Sequence, residues 1–563
     1  MRFARATLSL SAAVFAFLFW LGQMCTLSPM SPTAGPPVAP ATPSETPPAT
    51  GPVESSPRPT GPRPHRAAAP SAYYVAPNGD DANPGSEAQP WRTIQHAAES
   101  VGPGDTVYVR EGVYHEAVTI LVSGSEAGGY ITFRNYPGER PVLDGTGLSD
   151  PDGVNAFYIE DQSYLIIQGF EIRNYTTTLR NSVPIAIQVT GASHHIQILD
   201  NEIHRIETHA PVDADGLGAD AHGIAVYGNQ ATPIRHLLIR GNHLHHLALG
   251  SSEAVALNGN VEQFTVTQNL IHDTDNIALD FIGFEGTAPD AAYDQARYGV
   301  VISNTIYNVD SAPNPAYGGE RSAGGIYVDG GSHILIERNR VFSANIGIEL
   351  ASEHAGRATR FITVRNNLIY HNQIAGIALG GYDTLRGSTE DCILVNNTLY
   401  HNDTLQEGNG ELWLQFDTRE NVIKNNILYA NDQGLFISNP YTQNRGNVVD
   451  YNLYFAPAGR EKGQWQWKQV AYTGFDTYRS GTGNDAHGLF ADPRFVDEAA
   501  PDLHLRATSP AINAGENLTA SGDWDVDGEP RIQEGVVEMG ADEVGRQTAL
   551  TPYTYLPLVV KHP

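Results

Sequence analysis

From His222 to Tyr382 the apolar residues come in short repeated phrases rather than long runs. The phrase reads Gly223-Ile224-Ala225-Val226, then Ala254-Val255-Ala256-Leu257 and Asn276-Ile277-Ala278-Leu279. It returns as Gly325-Ile326-Tyr327-Val328, Gly347-Ile348-Glu349-Leu350 and Gly376-Ile377-Ala378-Leu379. Alternation of this length is the signature of a strand, whose successive side chains point to opposite faces. An Asn recurs where two further apolar stretches meet, at Asn201, Asn242, Asn269, Asn304, Asn339, Asn367, Asn397, Asn426 and Asn452. The spacing, roughly 26 to 41 residues, is that of a repeat architecture. Each unit runs first strand, short turn, second strand ending at Asn, third strand, variable loop. Such short strands predict an all-β coil of parallel strands. Inward Asn side chains would bond from rung to rung and satisfy amides that burial leaves needing partners.

The pattern changes at both ends. Tyr73-Tyr74-Val75-Ala76 reads as the first strand and Pro77 to Gly85 as turn chemistry. Thr93 to Val101 predicts a short amphipathic helix, with Ile94, Ala97, Ala98 and Val101 on one side, covering the open edge of the first strands. Before it, Arg2 and Arg5 precede an apolar run from Ala6 to Leu21, a secretory signal or, uncleaved, an N-terminal anchor. The Pro-, Ala- and Thr-rich stretch that follows cannot bury a core and reads as a disordered linker. The expected boundaries are 1–27 signal or anchor, 28–70 linker, 71–480 coil, 481–545 closing segment and 546–563 tail. Gln464-Trp465-Gln466-Trp467 and Tyr472 to Tyr478 read as irregular closing structure. Asp523, Asp525, Asp527, Gly528 and Glu534 have EF-hand loop spacing, but Pro530 interrupts them and no amphipathic helix flanks them. An Asp-rich turn is the expectation there.

Three stretches carry a family likeness: Tyr74-Val75-Ala76-Pro77-Asn78-Gly79, Trp91-Arg92-Thr93-Ile94-Gln95-His96-Ala97 and Gly104-Asp105-Thr106-Val107-Tyr108-Val109. They resemble the N-terminal cap of secreted right-handed parallel β-helix proteins of the pectate-lyase-like superfamily. The resemblance extends over residues 73–545. It implies an all-β, right-handed parallel β-helix (solenoid) with an N-terminal helical cap, and a polysaccharide partner. It leaves the activity open, because this fold hosts lyases, hydrolases, epimerases and non-catalytic surface proteins. Two family patterns are missing. Lys424 falls on a second strand, so no Lys lies on the first-strand face, and the Asp-Pro-His-Glu signature of some alginate epimerases is absent.

Composition narrows the setting. A formal net charge of −29 argues against nucleic acid and against an anionic membrane. With 2 Cys in the chain, Cys25 and Cys392, a disulfide framework is not expected. The expectation is a secreted or surface-attached monomer.

The candidate chemistry lies on the outward face of the first strands. Aligning the phrases gives one outward column of Tyr227, Asn258, Asp280, Asp329, Ala351 and Gly380. A second holds Ala225, Ala256, Ala278, Tyr327, Glu349 and Ala378, and His222, Glu253 and Asp275 form a third. Insertions at 205–221 and 309–323 precede first strands, and those at 281–298, 351–360 and 380–391 follow them, which predicts a groove between two walls. In this alignment Asp280 and Asp329 stack about 5 Å apart at Cα, and Asp329 and Glu349 about 8 Å. Asp280, Asp329 and Glu349 are therefore the catalytic candidates. A shared or raised proton suits carboxylate hydrolysis; Ca²⁺ held by Asp280 and Asp329 suits elimination. His222, Glu253, Asp275, Arg321, Tyr327, Glu353 and His354 are the substrate-binding candidates, Arg321 also an alternative base. Asp213, Asp215 and Asp220 form an acidic wall loop, and His204, His243, His245 and His246 fall on other strands as structural or surface residues. The expectation is cleavage of polysaccharide glycosidic bonds in this groove, by carboxylate hydrolysis ahead of Ca²⁺-assisted elimination, with a non-catalytic glycan-binding protein as the further alternative.

Overall fold

Three strands per coil, repeated, build three parallel sheets. The computed structural model describes residues 71–545 apart from positions 152 and 215. The expected signal or anchor, linker and tail, Cys25, and Asp215 of the wall loop lie outside the described residues. The first-strand sheet has 13 strands, from Val118–Ile120 to Val470–Thr473. The second-strand sheet has 16, three of them short side strands, and the third-strand sheet has 13. A right-handed parallel β-helix results, all-β except for short helical segments. Its interior is a continuous apolar core, with Ile224, Val226, Leu257, Phe281, Ile326 and Ile348 fully buried.

The Asn ladder is present and fully bonded. Asn304 accepts at Oδ1 from Asn269 N (3.0 Å) and Nδ2 (2.9 Å), and its Nδ2 donates to Val266 O and to Asn339 Oδ1 (both 3.0 Å). The residue just before each ladder Asn has positive φ: Asp200, Gly241, Gln268, Ser303, Arg338, Asn366, Asn396, Asn425 and Tyr451. That left-handed residue turns the second strand sharply into the third. The ladder ends on a carboxylate. Asn452 Nδ2 donates to Asp485 Oδ1 (3.0 Å), and Tyr454 and Tyr478 hydroxyls donate to Oδ2 (2.7 and 3.2 Å).

The cap helix spans Ile94–Ser100, with Thr93 as N-cap accepting at Oγ1 from His96 N (3.1 Å). Glu116 accepts from Ile94 N (3.1 Å) and Gln95 N (2.9 Å), so the helix's unpaired donors are satisfied. At the other end Gln464–Trp467 pairs antiparallel with Val470–Thr473, and a helix follows at Phe475–Thr482. Regular structure stands where the sequence suggests irregular closure. Phe475 and Tyr478, three apart, both bury on one helix face, and Tyr478 stacks on Trp465 at 4.8 Å. Phe495, Leu503, Leu505, Ala511 and Met539 pack on the outer side of the third-strand sheet, against Tyr400, Ile427 and Tyr429. The Asp-rich turn is a turn: Asp525 accepts from the backbone N of Asp527 (3.1 Å), Glu529 (2.7 Å) and Glu543 (3.1 Å).

The register of the first-strand sheet corrects the column alignment. Val255 pairs with Leu279 and Ala256 with Asp280; Asp280 pairs with Tyr327, and Tyr327 with Glu349. The outward column is thus Ala225, Ala256, Asp280, Tyr327, Glu349, Ala378 and Trp413. Asp329 lies beside Ala351 in the neighbouring column. Asp280 and Asp329 are diagonal, about 8 Å apart at Cα, not stacked. A slip of two residues keeps every side chain on its face, so apolar alternation cannot detect it. Phe281 decides it by stacking on Phe264 inside the coil, centroids 5.2 Å apart.

Candidate active site

Five insertions bring side chains to this outward column. The 281–298 loop supplies Glu285, the 309–323 loop Tyr317, the 351–360 loop Glu353 and His354, and the 380–391 loop Tyr382 and Arg386. The 205–221 loop supplies Asp220, which accepts from Ser252 Oγ (3.1 Å). Arg357 lies over the Phe284 ring at 4.9 Å, tying two of these loops together. Asp280, Tyr327, Asp329 and Glu349 are buried beneath them, and Glu285, Glu353 and His354 reach the solvent side.

Burial and crowding set the electrostatics. Burial, then Glu253, Asp329 and Glu285, pushes Asp280 well above the usual carboxylate range. Asp329 is pushed up by burial, Glu353 and Glu285, although its Oδ1 accepts from Glu353 N (2.7 Å), which favours its charged form. Burial and Glu353 lift Glu349 to about 8, and burial and Glu285 lift Glu353 to about 7. Burial, Glu285 and Asp220 raise Glu253. Glu285 is exposed over its residue surface, while its carboxylate accepts from Asn258 Nδ2 (2.7 Å); burial raises its pKa, a push that solvent weakens at this rim. The cluster shares its protons, and Arg386 acts on it as a cation at Glu353.

Tyr327 donates its hydroxyl to Glu353 Oε1 (3.3 Å). Among the described residues, the buried atoms here without a hydrogen-bond partner include Asp280 Oδ1, Asn258 Oδ1 and His354 Nε2. One donor atom each of Glu285, Asp329 and His354 lie within 4.8 Å of one another. Asp329 belongs to this set, as the sequence suggests for Ca²⁺. Asp280 is outside it, with its unpaired oxygen in the same cluster.

Other sequence candidates sit differently. His222 is buried and held at both ring nitrogens: Nδ1 meets Glu253 O (3.0 Å) and Nε2 meets Tyr227 OH (2.8 Å). The carbonyl accepts only, so Nδ1 carries the proton and the tyrosine donates to Nε2. Burial lowers this imidazole to about 4, leaving it neutral. Asp275 accepts from Leu249 N (2.7 Å) and feels Glu207 and His209, away from the cluster. Arg321 is exposed and paired with Asp310 (3.3 Å). Glu285, Tyr317, Tyr382 and Arg386 escape the sequence reading, because loop residues carry no strand period; insertion length is the signal that points to them, while Asn258 stands on the outward face that alternation indicates.

Two family models match: a Pel9A-like right-handed β-helix region over residues 73–232 and a right-handed β-helix region over 185–399. The chain is 43% identical to the uncharacterized protein YwoF of Bacillus subtilis, over 78% of this chain and 91% of that one. It is 26% identical to pectate lyase PEL9 of Emericella nidulans, over 27% of this chain and 42% of the relative. The crystal structure of pectate lyase Pel9A aligns at TM-score 0.41 and 16% identity, covering 85% of this chain and 98% of that one. The fold is of the carbohydrate-active, pectate-lyase-like class. With a relative matched over nearly its whole length and family models that together match residues 73–399, this chain belongs to the pectate-lyase-like family of right-handed parallel β-helix proteins.

Proposed function

We propose that this protein acts outside the cell, secreted or surface-attached, and hydrolyses a polysaccharide over the first-strand sheet by carboxylate acid–base chemistry. The observation that carries this reading is the burial of Asp280, Asp329 and Glu349 beside one another under the loops. Burial and crowding raise Glu349 to about 8 and Glu353 to about 7, so Glu349 favours its protonated form at neutral pH, where an ordinary carboxylic acid has lost its proton. Glu349 gives its proton to the leaving sugar oxygen. Asp280 stands two rungs away in the same column, about 9.6 Å at Cα. Inverting glycosidases hold their two carboxyl groups about 6.5–9.5 Å apart to leave room for a water, and a two-rung Cα spacing is close to the upper end of that range. Asp280 takes the water's proton when the cluster has released one. Tyr327, between them, holds Glu353 in place. Trp413, half-buried two rungs beyond Glu349, offers a sugar-stacking face.

The unpaired atoms favour a second reading, cation-assisted elimination. Asp329, Glu285 and His354 would hold Ca²⁺, with Asp280 Oδ1 and Asn258 Oδ1 alongside; this largely oxygen donor set fits the ion. Bound there, Ca²⁺ would draw in a sugar carboxylate and acidify the adjacent C–H. The similarity to pectate lyase PEL9 supports this reading.

The test is incubation of the full chain with a panel of neutral and acidic polysaccharides. New reducing ends without the ultraviolet absorbance of an unsaturated sugar mean hydrolysis. Both signals, abolished by EDTA and restored by Ca²⁺, mean elimination. Asp280→Asn and Asp329→Asn each lower turnover by about a hundredfold or more. Full activity in both variants overturns the site, and binding without either product overturns the enzyme reading in favour of a glycan-binding protein.

A further inference from the structure

The outer face of the third-strand sheet gathers a second set of ligand-type side chains, on three successive coils. Strands Glu202–Thr208, His243–Leu247 and Leu270–Thr274 are aligned so that Glu202 pairs with His243, and His204, His245 and His272 form one column. His204 stacks on His245 at 5.0 Å and His245 on His272 at 5.4 Å. The column continues through Tyr307, Phe342 and Tyr370 as stacked rings. Stacking alone is thus served by Tyr and Phe. It does not account for rings that turn their nitrogens toward one another where the column is built of His.

The nitrogens converge. His243 Nε2 is 2.8 Å from His272 Nε2, and His245 Nε2 is 3.4 Å from Glu202 Oε1. One donor atom each of Glu202, His243 and His245 lie within 4.8 Å of one another. The edge of a tetrahedron around a zinc ion is about 3.3 Å for metal–nitrogen bonds near 2.05 Å; the 2.8 and 3.4 Å pairs bracket that edge, and the three-residue set has to draw in from within 4.8 Å to share one ion.

The surroundings prepare them for it. His272 Nδ1 lies 2.7 Å from Asp273 Oδ2 and donates to it, which orients the ring and leaves Nε2 with its lone pair facing His243. Arg140 holds the other carboxylate oxygen of Glu202, leaving Oε1 toward His245.

We propose that Glu202, His243 and His245, with His272 as fourth donor, bind a first-row transition ion of the Zn²⁺ class, clamping three successive coils together. Three imidazoles and one carboxylate select such an ion over Ca²⁺, which takes oxygen. The site lies on a different sheet from the carboxylate cluster and does not depend on the proposed reaction.

The test is titration of the metal-stripped full chain with Co²⁺, read by its visible absorption, and then with Zn²⁺ by calorimetry. The expected result is one equivalent of tetrahedral Co²⁺ displaced by Zn²⁺, with a melting temperature that rises on Zn²⁺ addition and falls back with EDTA. His243→Ala and His245→Ala each weaken binding by about a hundredfold, and Glu202→Gln by about tenfold. Asp329→Asn leaves the Co²⁺ spectrum unchanged. Melting in EDTA reports whether each variant is folded, and Glu202→Gln, which keeps size and a contact for Arg140, carries the test if a His variant is not. No Co²⁺ band in the wild type, or equal affinity in all three variants, overturns the proposal.

Discussion

At the scale of single residues, the site is a set of carboxyl groups that burial has driven away from their ordinary chemistry. Glu349 shows the consequence most directly. Its pKa rises from 4.5 to about 8, so its folded-state value lies above its unfolded one. Its contribution to stability is then fully present below about pH 4.5 and is lost as pH rises through about 8. Glu349→Gln, which keeps the shape and removes the charge, should melt above the wild type at pH 9 and close to it at pH 4. The gain is at most about 5 kcal/mol. The same variant should lose activity by about 10²–10⁴-fold if Glu349 is the acid. A variant that melts lower at pH 9, or keeps full activity, contradicts this role. Asp280, Asp329, Glu349 and Tyr327 are legible in the sequence because strand alternation puts them on the outward face. Glu285 and Arg386 are not, because they reach the cluster from loops whose course no period describes.

At the scale of the element, the coil depends on one corner repeated. A left-handed residue turns the chain, and the Asn after it passes its amide to the next rung. Asn304→Ala would leave the Asn269 amide and Val266 O without their partner in the core, and should cost about 2–4 kcal/mol in a denaturation experiment. Substituting exposed Phe361, which also has positive φ but is no ladder member, with Asn should cost far less. The carboxylate at the ladder's end behaves differently. Burial lifts Asp485 to about 6 against donation from Tyr454 and Asn452. Its stabilising contribution is present below about pH 3.8 and lost as pH rises through about 6. Asp485→Asn would extend the ladder by one amide, so its melting temperature relative to the wild type should rise between pH 4 and pH 7. A constant difference across that range would show that the carboxyl does not titrate there. The ladder Asn residues are legible from their spacing. The left-handed residues before them are not, since Gln268, Arg338 and Tyr451 carry no glycine-like signal for positive φ.

At the scale of the whole molecule, the closing segment lies against the third-strand sheet. Outward αL residues hold it: Asn366 Nδ2 donates to Trp524 O (2.8 Å), Asn396 Nδ2 to Glu538 O (2.8 Å) and Asn425 Nδ2 to Glu516 O (2.9 Å). Inside the segment, buried Arg531 donates to Ala541 O (2.8 Å) and Glu538 O (3.1 Å) and faces Glu543 and Asp525. Arg531→Ala removes the charge that balances those acids, at a cost of about 3–5 kcal/mol. Limited proteolysis should then cut within 495–543 while leaving the coil intact; cleavage no faster than in the wild type would show that packing alone holds the segment.

What the sequence determines by itself is periodic: the strands, the parallel coil, the ladder Asn residues and the face on which the acids lie. Each follows from a local repeat of side-chain direction, which a chain carries wherever it folds. Only the tertiary structure decides register and convergence. A two-residue slip leaves the alternation intact, and it took Phe281 packing on Phe264 to put Asp280 beside Tyr327 instead of Asp329. Likewise the meeting of five loops over one column, and of three histidines on neighbouring coils, is set by how rungs stack in space, because residues far apart in sequence become neighbours only when each coil settles on the one before it.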